Sequence, residues 1–156
     1  MSTELSDRVA ELERRVAALE NREQVTEPEP PDDDGVITYA GQLTRPGELE
    51  WQVTLPSSRV LALDDPPRIE VLSALAHPAR VAIVRRLAEH GSQPGAALQE
   101  AAELGSAGQF YHHLKALTGA GIVEQDKRGS YRLRARAAIP ALVLLAAAAD
   151  IAGQLR

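Results

Sequence analysis

Between Arg68 and Gly119 the chain repeats one device, a short apolar stripe at helical spacing ended by a breaker, and this constrains the fold more than anything else in it. Ile69, Leu72, Leu75 and Ala76 mark one face of a first helix. His77-Pro78 interrupts it, and Pro78 suits the opening position of the next helix because its missing N–H is not needed there. That helix is expected over Ala79 to His90, with Val81, Val84 and Leu87 inward, and Gly91 stops it. A third helix is expected near Gly95 to Ala102, burying Leu98 and Ala101. Glu103-Leu104-Gly105 reads as a tight turn. Ser106 is placed to cap a fourth helix, Ala107 to Gly119, with Phe110, Leu114 and Leu117 inward.

Helix, short glycine-containing turn, helix is the signature of a helix-turn-helix. Two β runs follow, Ile122 to Gln125 and Ser130 to Arg134. Asp126-Lys127-Arg128-Gly129 joins them as a basic-tipped hairpin, which reads as a wing. With Phe110, Leu114 and Leu117 buried, the opposite face of the fourth helix carries Ser106, Gln109, Tyr111, His112 and Lys115. A recognition helix reads base edges from its first turns. Gln109 can bond adenine with both ends of its amide, and Ser106 can contact a base or a phosphate. Tyr111 and His112 can touch base or backbone, and Lys115, Lys127, Arg128 and Arg132 can neutralise phosphates. Gly108 costs about 1 kcal/mol of helix propensity and permits close approach to DNA.

Leu75-Ala76-His77-Pro78-Ala79-Arg80, Ile83-Val84-Arg85-Arg86-Leu87, Tyr111-His112-His113-Leu114-Lys115-Ala116-Leu117, Gly121-Ile122-Val123 and Arg128-Gly129-Ser130-Tyr131-Arg132-Leu133 stand in the order and spacing of the ArsR-type winged helix-turn-helix regulators. The stretch from Arg68 to Leu155 resembles that family. The resemblance implies a dimeric DNA-binding domain, usually a repressor released by an effector, whose final helix commonly helps form the dimer. Here that helix is expected over Ile139 to Leu155, apolar nearly all round, with Leu142 and Leu145 as dimer contacts.

Upstream, Leu5, Val9, Leu12, Val16 and Leu19 follow a heptad pattern with Val at a and Leu at d. Arg8 and Arg15 at g would face Glu13 and Glu20 at e of a parallel partner, so a dimeric coiled coil is expected over residues 1–25. Residues 26–35 are acidic and proline-rich and read as an extended linker. Residues 36–67 read as a β-hairpin with a connection. Its two β runs flank an Arg45-Pro46-Gly47 turn, and Trp51, Val53 and Leu55 share a face. Asp65, before two prolines, is a plausible cap. Residues 68–156 complete a mainly α fold with a small β component, the winged helix-turn-helix with its C-terminal dimerisation helix. Tyr39 and Trp51 are candidate ligand contacts, although packing onto the next domain explains them as well.

The formal net charge of −5 looks wrong for a DNA-binding protein, but its distribution matters more. Up to Pro67 there are 6 Lys and Arg against 15 Asp and Glu; from Arg68 to Arg136 there are 10 against 6. The positive excess therefore coincides with the helix-turn-helix. With no cysteine, thiolate metal sites and disulfides are excluded. His112 and His113 point about 100° apart, and neither has a His or carboxylate one turn away, so no metal site and no cofactor is expected. The longest apolar run, Ala137 to Ala149, is short of the roughly 18–20 residues a membrane span needs, and no signal peptide is apparent. A cytoplasmic protein is the expectation. No motif of hydrolases or phosphate-binding loops occurs, so catalysis is not expected. The expected partners are double-stranded DNA, a second copy of the chain, and a small-molecule or protein effector. Two functions fit: a sequence-specific transcription regulator, or a protein-interaction module that keeps the winged helix without DNA binding.

Overall fold

The computed structural model describes residue 8 and residues 35–45 and 47–156. The heptad positions Leu5, Val9, Leu12, Val16 and Leu19 lie outside the described residues. Two compact units divide the remainder. The smaller includes residues 35–37 and 54–61, the larger residues 38–53 and 62–156. In the smaller, the Ser57 N–H donates to the Gly35 carbonyl at 3.0 Å and opens a short helix, α1 (Ser57–Ala62), where only a connection was expected.

Strands β1 (Val36–Leu43) and β2 (Leu49–Pro56) pair as the expected hairpin. Their connection is too short for the crossover that parallel strands need. Alternation is clean: Leu49, Trp51, Val53 and Leu55 are half-buried, and Glu50, Gln52 and Thr54 are exposed. On β1, Tyr39, Gly41 and Leu43 are the less exposed set. Gly41 passes so close to the final helix that a Cβ built on it would lie 2.6 Å from Ile139 Cγ2. Ile139 is buried and β-branched, so it has little room to yield. Gly41→Ala is expected to cost about 1–3 kcal/mol in urea unfolding. Gly47, where an added Cβ would meet nothing within 4 Å, is the neutral control.

The larger unit continues with α2 (Asp65–Leu75), α3 (Pro78–His90), a two-residue strand β3 (Gln93–Pro94) and α4 (Gly95–Ala101). After these come α5 (Ala107–Gly119), β4 (Val123–Lys127), β5 (Ser130–Leu133) and α6 (Ala135–Ile151). The three strands form an antiparallel sheet in the order β3-β5-β4. The core is continuous, with Ile83, Val84, Leu87, Leu98, Phe110, Leu117 and Val123 almost fully enclosed. A mainly helical winged helix-turn-helix is thus the observed fold.

Several expectations need correction. On α2 the core face is Val71, Ala74 and Leu75, whereas Ile69 and Leu72 are 53% and 48% exposed and Ala76 is exposed as well. The cap of α2 is Asp64, with no side-chain hydrogen bond, and Asp65 is already helical. On α3 the buried set is Ala79, Ile83, Val84 and Leu87; Val81 is only half-buried. Ala102, rather than Ala101, closes the core beside Leu98. The expected turn before α5 does include Glu103, which holds a φ of 53°, the left-handed conformation usually left to glycine. In the wing, β4 extends to Lys127, a bulge falls between Gln125 and Lys127, and Arg128-Gly129 alone turns the chain. Gly129 supplies the positive φ, 77°, that the turn requires. The final helix begins at Ala135 and carries Pro140 within it, so its span is shifted toward the N-terminus relative to the expected Ile139 to Leu155.

Candidate nucleic-acid interface

The local sequence fixes how α5 is presented. Ser106 is extended (φ −143°, ψ 150°), and its Oγ accepts from the Gln109 N–H at 3.2 Å, so the hydroxyl caps the helix as expected. The first turn of α5 holds no acidic residue, so the positive end of its backbone dipole is unopposed by its own side chains. Phe110, Leu114 and Leu117 are buried, which anchors one face in the core. Phe110 touches Tyr111 and Tyr131 edge-on, with ring centroids 5.2 Å and 6.5 Å apart. The opposite face leaves Ser106, Gln109, Tyr111, His112 and Lys115 exposed, Tyr111 by 57%.

The wing is equally defined. β5 lies between β3 and β4, with Gln93 opposite Tyr131 and Lys127 opposite Ser130. The Gly95 N–H donates to the Gly129 carbonyl at 2.9 Å and ties the start of α4 to the wing turn. Lys127 and Arg128 stand exposed at the tip. Among the described residues, Lys115, Lys127 and Arg128 form no ion pair. Arg132 is different. Its Nε donates to Glu124 Oε1 at 2.9 Å and its Nη1 lies 3.2 Å from Asp126 Oδ1. Glu124 sits directly opposite Arg132 in the sheet, a pairing the hairpin register creates. Arg134 shares the same carboxylate: its Nε is 3.4 Å from Glu124 Oε2, close enough for attraction but outside hydrogen-bond geometry.

A group of rings behind the helix escaped sequence reasoning. His77 caps α3, its Nδ1 accepting from the Ala79 N–H at 3.2 Å. The same ring lies 4.2 Å, centroid to centroid, from His113 of α5, and His113 is 5.4 Å from His112. Inspection along α5 alone finds no neighbour one turn from either histidine; the fold supplies one from another element. Among the described residues no group of three or more His, Asp or Glu is arranged to hold a metal. His113 Nδ1 is sealed from solvent without a partner. Burial, then the adjacent His77, Arg80 and His112, hold its pKa below the ordinary 6.5. No carboxylate contributes to the shift. Because the folded pKa is depressed, the unfolded chain binds the proton more readily, and stability falls as pH drops from 6.5 through the folded value. The urea midpoint is therefore expected to decline between pH 8 and pH 5, and His113→Asn is expected to flatten that decline. An equal slope in the variant would assign the effect to other groups.

Tyr39 and Trp51, the candidate ligand contacts, are half-buried on the hairpin, and Trp51 Nε1 is enclosed without a hydrogen-bond partner. Neither lines the cleft that lies between α5 and the wing. Leu142 and Leu145 on α6 are half-buried, and Leu145 packs against the core. Ile151 and Leu155 are 89% and 65% exposed. No helix of the described residues is long and apolar enough to cross a membrane.

Residues 75–126 match a family model described as a helix-turn-helix domain. No curated protein matches the chain. Among solved structures it is similar to the homodimeric winged helix-turn-helix DNA-binding domain of a possible ArsR-family transcriptional regulator from Mycobacterium bovis. That match has 25% identity over 60% of this chain and 86% of the other, with a TM-score of 0.47. It is also similar to the transcriptional repressor BigR from Xylella fastidiosa, at 28% identity over 54% of this chain and 84% of that one, with a TM-score of 0.43.

Proposed function

We propose that this chain, whose residues 75–126 form a helix-turn-helix domain, is a sequence-specific DNA-binding transcription regulator, a repressor that acts as a homodimer on an inverted-repeat operator. One observation carries the reading. A helix anchored by Phe110, Leu114 and Leu117 offers Gln109, Tyr111, His112 and Lys115 to solvent, and the adjoining wing ends in Lys127 and Arg128, cations that no carboxylate of the described residues neutralises. Such an arrangement suits a helix in the major groove with a wing tip on the phosphate backbone. Ser106 keeps its hydroxyl proton free for a phosphate while its oxygen caps the helix.

Arg132 takes a smaller part than Lys127 and Arg128, because binding a phosphate would require it to leave Glu124 and Asp126. Homodimerisation draws support from two exposed apolar stripes, Ile69 and Leu72 on α2 and Ile151 and Leu155 at the C-terminus. Leu142 and the heptad helix remain candidate contributors. The competing interaction-module reading has in its favour the same Arg132 ion pairs, which reduce the positive field of the wing.

Selection of bound fragments from genomic DNA at about 150 mM salt suppresses non-specific binding and tests the reading. An enriched inverted repeat is expected, with half-sites about one helical turn apart. On that operator Gln109→Ala is expected to relax one base position in each half-site, at about 1–3 kcal/mol, and to leave random DNA unaffected. Equal weakening on operator and random DNA would remove Gln109 from base reading. No enriched sequence from a folded dimer would favour the interaction module.

A further inference from the structure

The cleft between α5 and the wing has a volume of about 410 Å³, within the range of roughly 300–1,000 Å³ usual for small-molecule sites. Leu114 and Val123, both buried, give it an apolar floor. Tyr111 and Tyr131 line it from the helix and from the sheet. Each tyrosine ring touches Phe110 edge-on, which gives both a contact with the core. Two aromatic rings beside an apolar floor suit a flat aromatic guest.

The charges lining the cleft select its sign. Glu124 is the one carboxylate among the lining residues, and it is held by Arg132 at 2.9 Å and Arg134 at 3.4 Å. Lys115 also lines the cleft and has no ion-pair partner among the described residues. A guest therefore meets an acid already neutralised and an ammonium with no counter-charge. We propose that this cleft binds a small aromatic carboxylate, its ring against Tyr111 and Tyr131 and its charge on Lys115, and that ligand and DNA exclude one another. Exclusion follows because Tyr111 and Lys115 are also two of the proposed DNA contacts, so this part rests on the DNA-binding reading while the ligand site does not. Binding of either partner weakens the other by the same factor.

The test uses the full chain with 1-naphthoate as probe and 1-naphthalenemethanol as its neutral counterpart, followed by calorimetry and by the ring resonances of Tyr111 and Tyr131. Wild type is expected to bind the carboxylate with a Kd below about 1 mM. Lys115→Gln, an exposed site that does not disturb the core, is expected to weaken the carboxylate at least about fivefold and leave the alcohol within about twofold. Thr118→Trp, which fills the cleft from a half-buried lining position, is expected to abolish both, with its thermal unfolding checking that it folds. Saturating 1-naphthoate is expected to weaken DNA binding at least about tenfold. Absence of heat and of tyrosine shifts up to about 10 mM probe would overturn the site. Equal carboxylate affinity in wild type and Lys115→Gln would overturn the anion assignment. Tight probe binding with unchanged DNA affinity would overturn the exclusion. Probe binding as described in a protein that takes up no DNA even without probe would support the site and sink the DNA-binding reading instead.

Discussion

Phe110→Ala is expected to remove about 3–5 kcal/mol of stability, a large part of the roughly 5–15 kcal/mol that holds a small domain together. Phe110 is 2% exposed and is the largest of the fully enclosed side chains. It joins three elements: its ring packs against Tyr111 on its own helix and Tyr131 on β5, and it lies 3.3 Å from where a Cβ on Gly95 of α4 would stand. Truncation leaves a void that no single neighbour can fill, because each is fixed by its own element. Urea unfolding followed by circular dichroism measures the loss. Phe110→Leu, which retains most of the volume, is expected to lose less than half as much. A loss below about 1 kcal/mol for the alanine variant would mean that the anchor of α5 lies in its other buried residues, Leu114 and Leu117.

The helix-turn-helix was legible because its signals are local. The Ser106 cap, the Gly91 stop, Pro78 at the start of α3 and the 110-114-117 stripe each act within a turn or two of themselves. Faces were less legible where a helix is apolar on both sides. Residues 69–76 hold two overlapping stripes, Ile69-Leu72-Ala76 and Val71-Ala74-Leu75, and periodicity alone cannot say which one meets the core. The same ambiguity set Val81 in place of Ile83, since three apolar residues run consecutively before Val84. Strand β3 could not be read at all. Two residues, one of them proline, carry no pattern, and they become a strand only because β5 lies beside them.

The candidate interface was legible in its membership and less so in its electrostatics. All eight residues nominated on α5 and the wing are exposed. What the chain order hides is pairing between elements. Arg132 looked as available as Lys127 or Arg128, yet the register sets it opposite Glu124. Counting back from the Arg128-Gly129 turn would have come close to this pair, but the bulge at Gln125/Lys127 shifts the count by one residue. His77 and His113 are 36 positions apart and meet only because the cap of α3 faces the middle of α5. The cleft beside Lys115 likewise needs both α5 and the wing before it exists.

Replacing Lys115, Lys127 and Arg128 together by alanine is expected to lower affinity for random-sequence duplex about a hundredfold at 150 mM salt. Each phosphate contact releases close to one counterion, so log K falls by about 0.9 per decade of salt for every contact made. Removal of three contacts should therefore flatten the salt dependence by nearly three units, and the affinity lost at 150 mM follows from the same slope. Arg132→Ala provides the internal comparison. Its guanidinium is already held by Glu124 and Asp126, so loss of that cation also releases two acids, and its effect on slope should be smaller than that of Lys127→Ala or Arg128→Ala. Fluorescence anisotropy from about 50 to 300 mM salt resolves both differences. All three substituted residues are exposed and unpaired among the described residues, so unfolding of the triple variant should remain within about 0.5 kcal/mol of wild type. An unchanged slope in a folded triple variant would take the wing tip off the phosphate backbone and leave α5 without its expected companion. A slope that falls by more for Arg132→Ala than for Lys127→Ala would mean that DNA breaks the Glu124–Arg132 pair and recruits the guanidinium to phosphate.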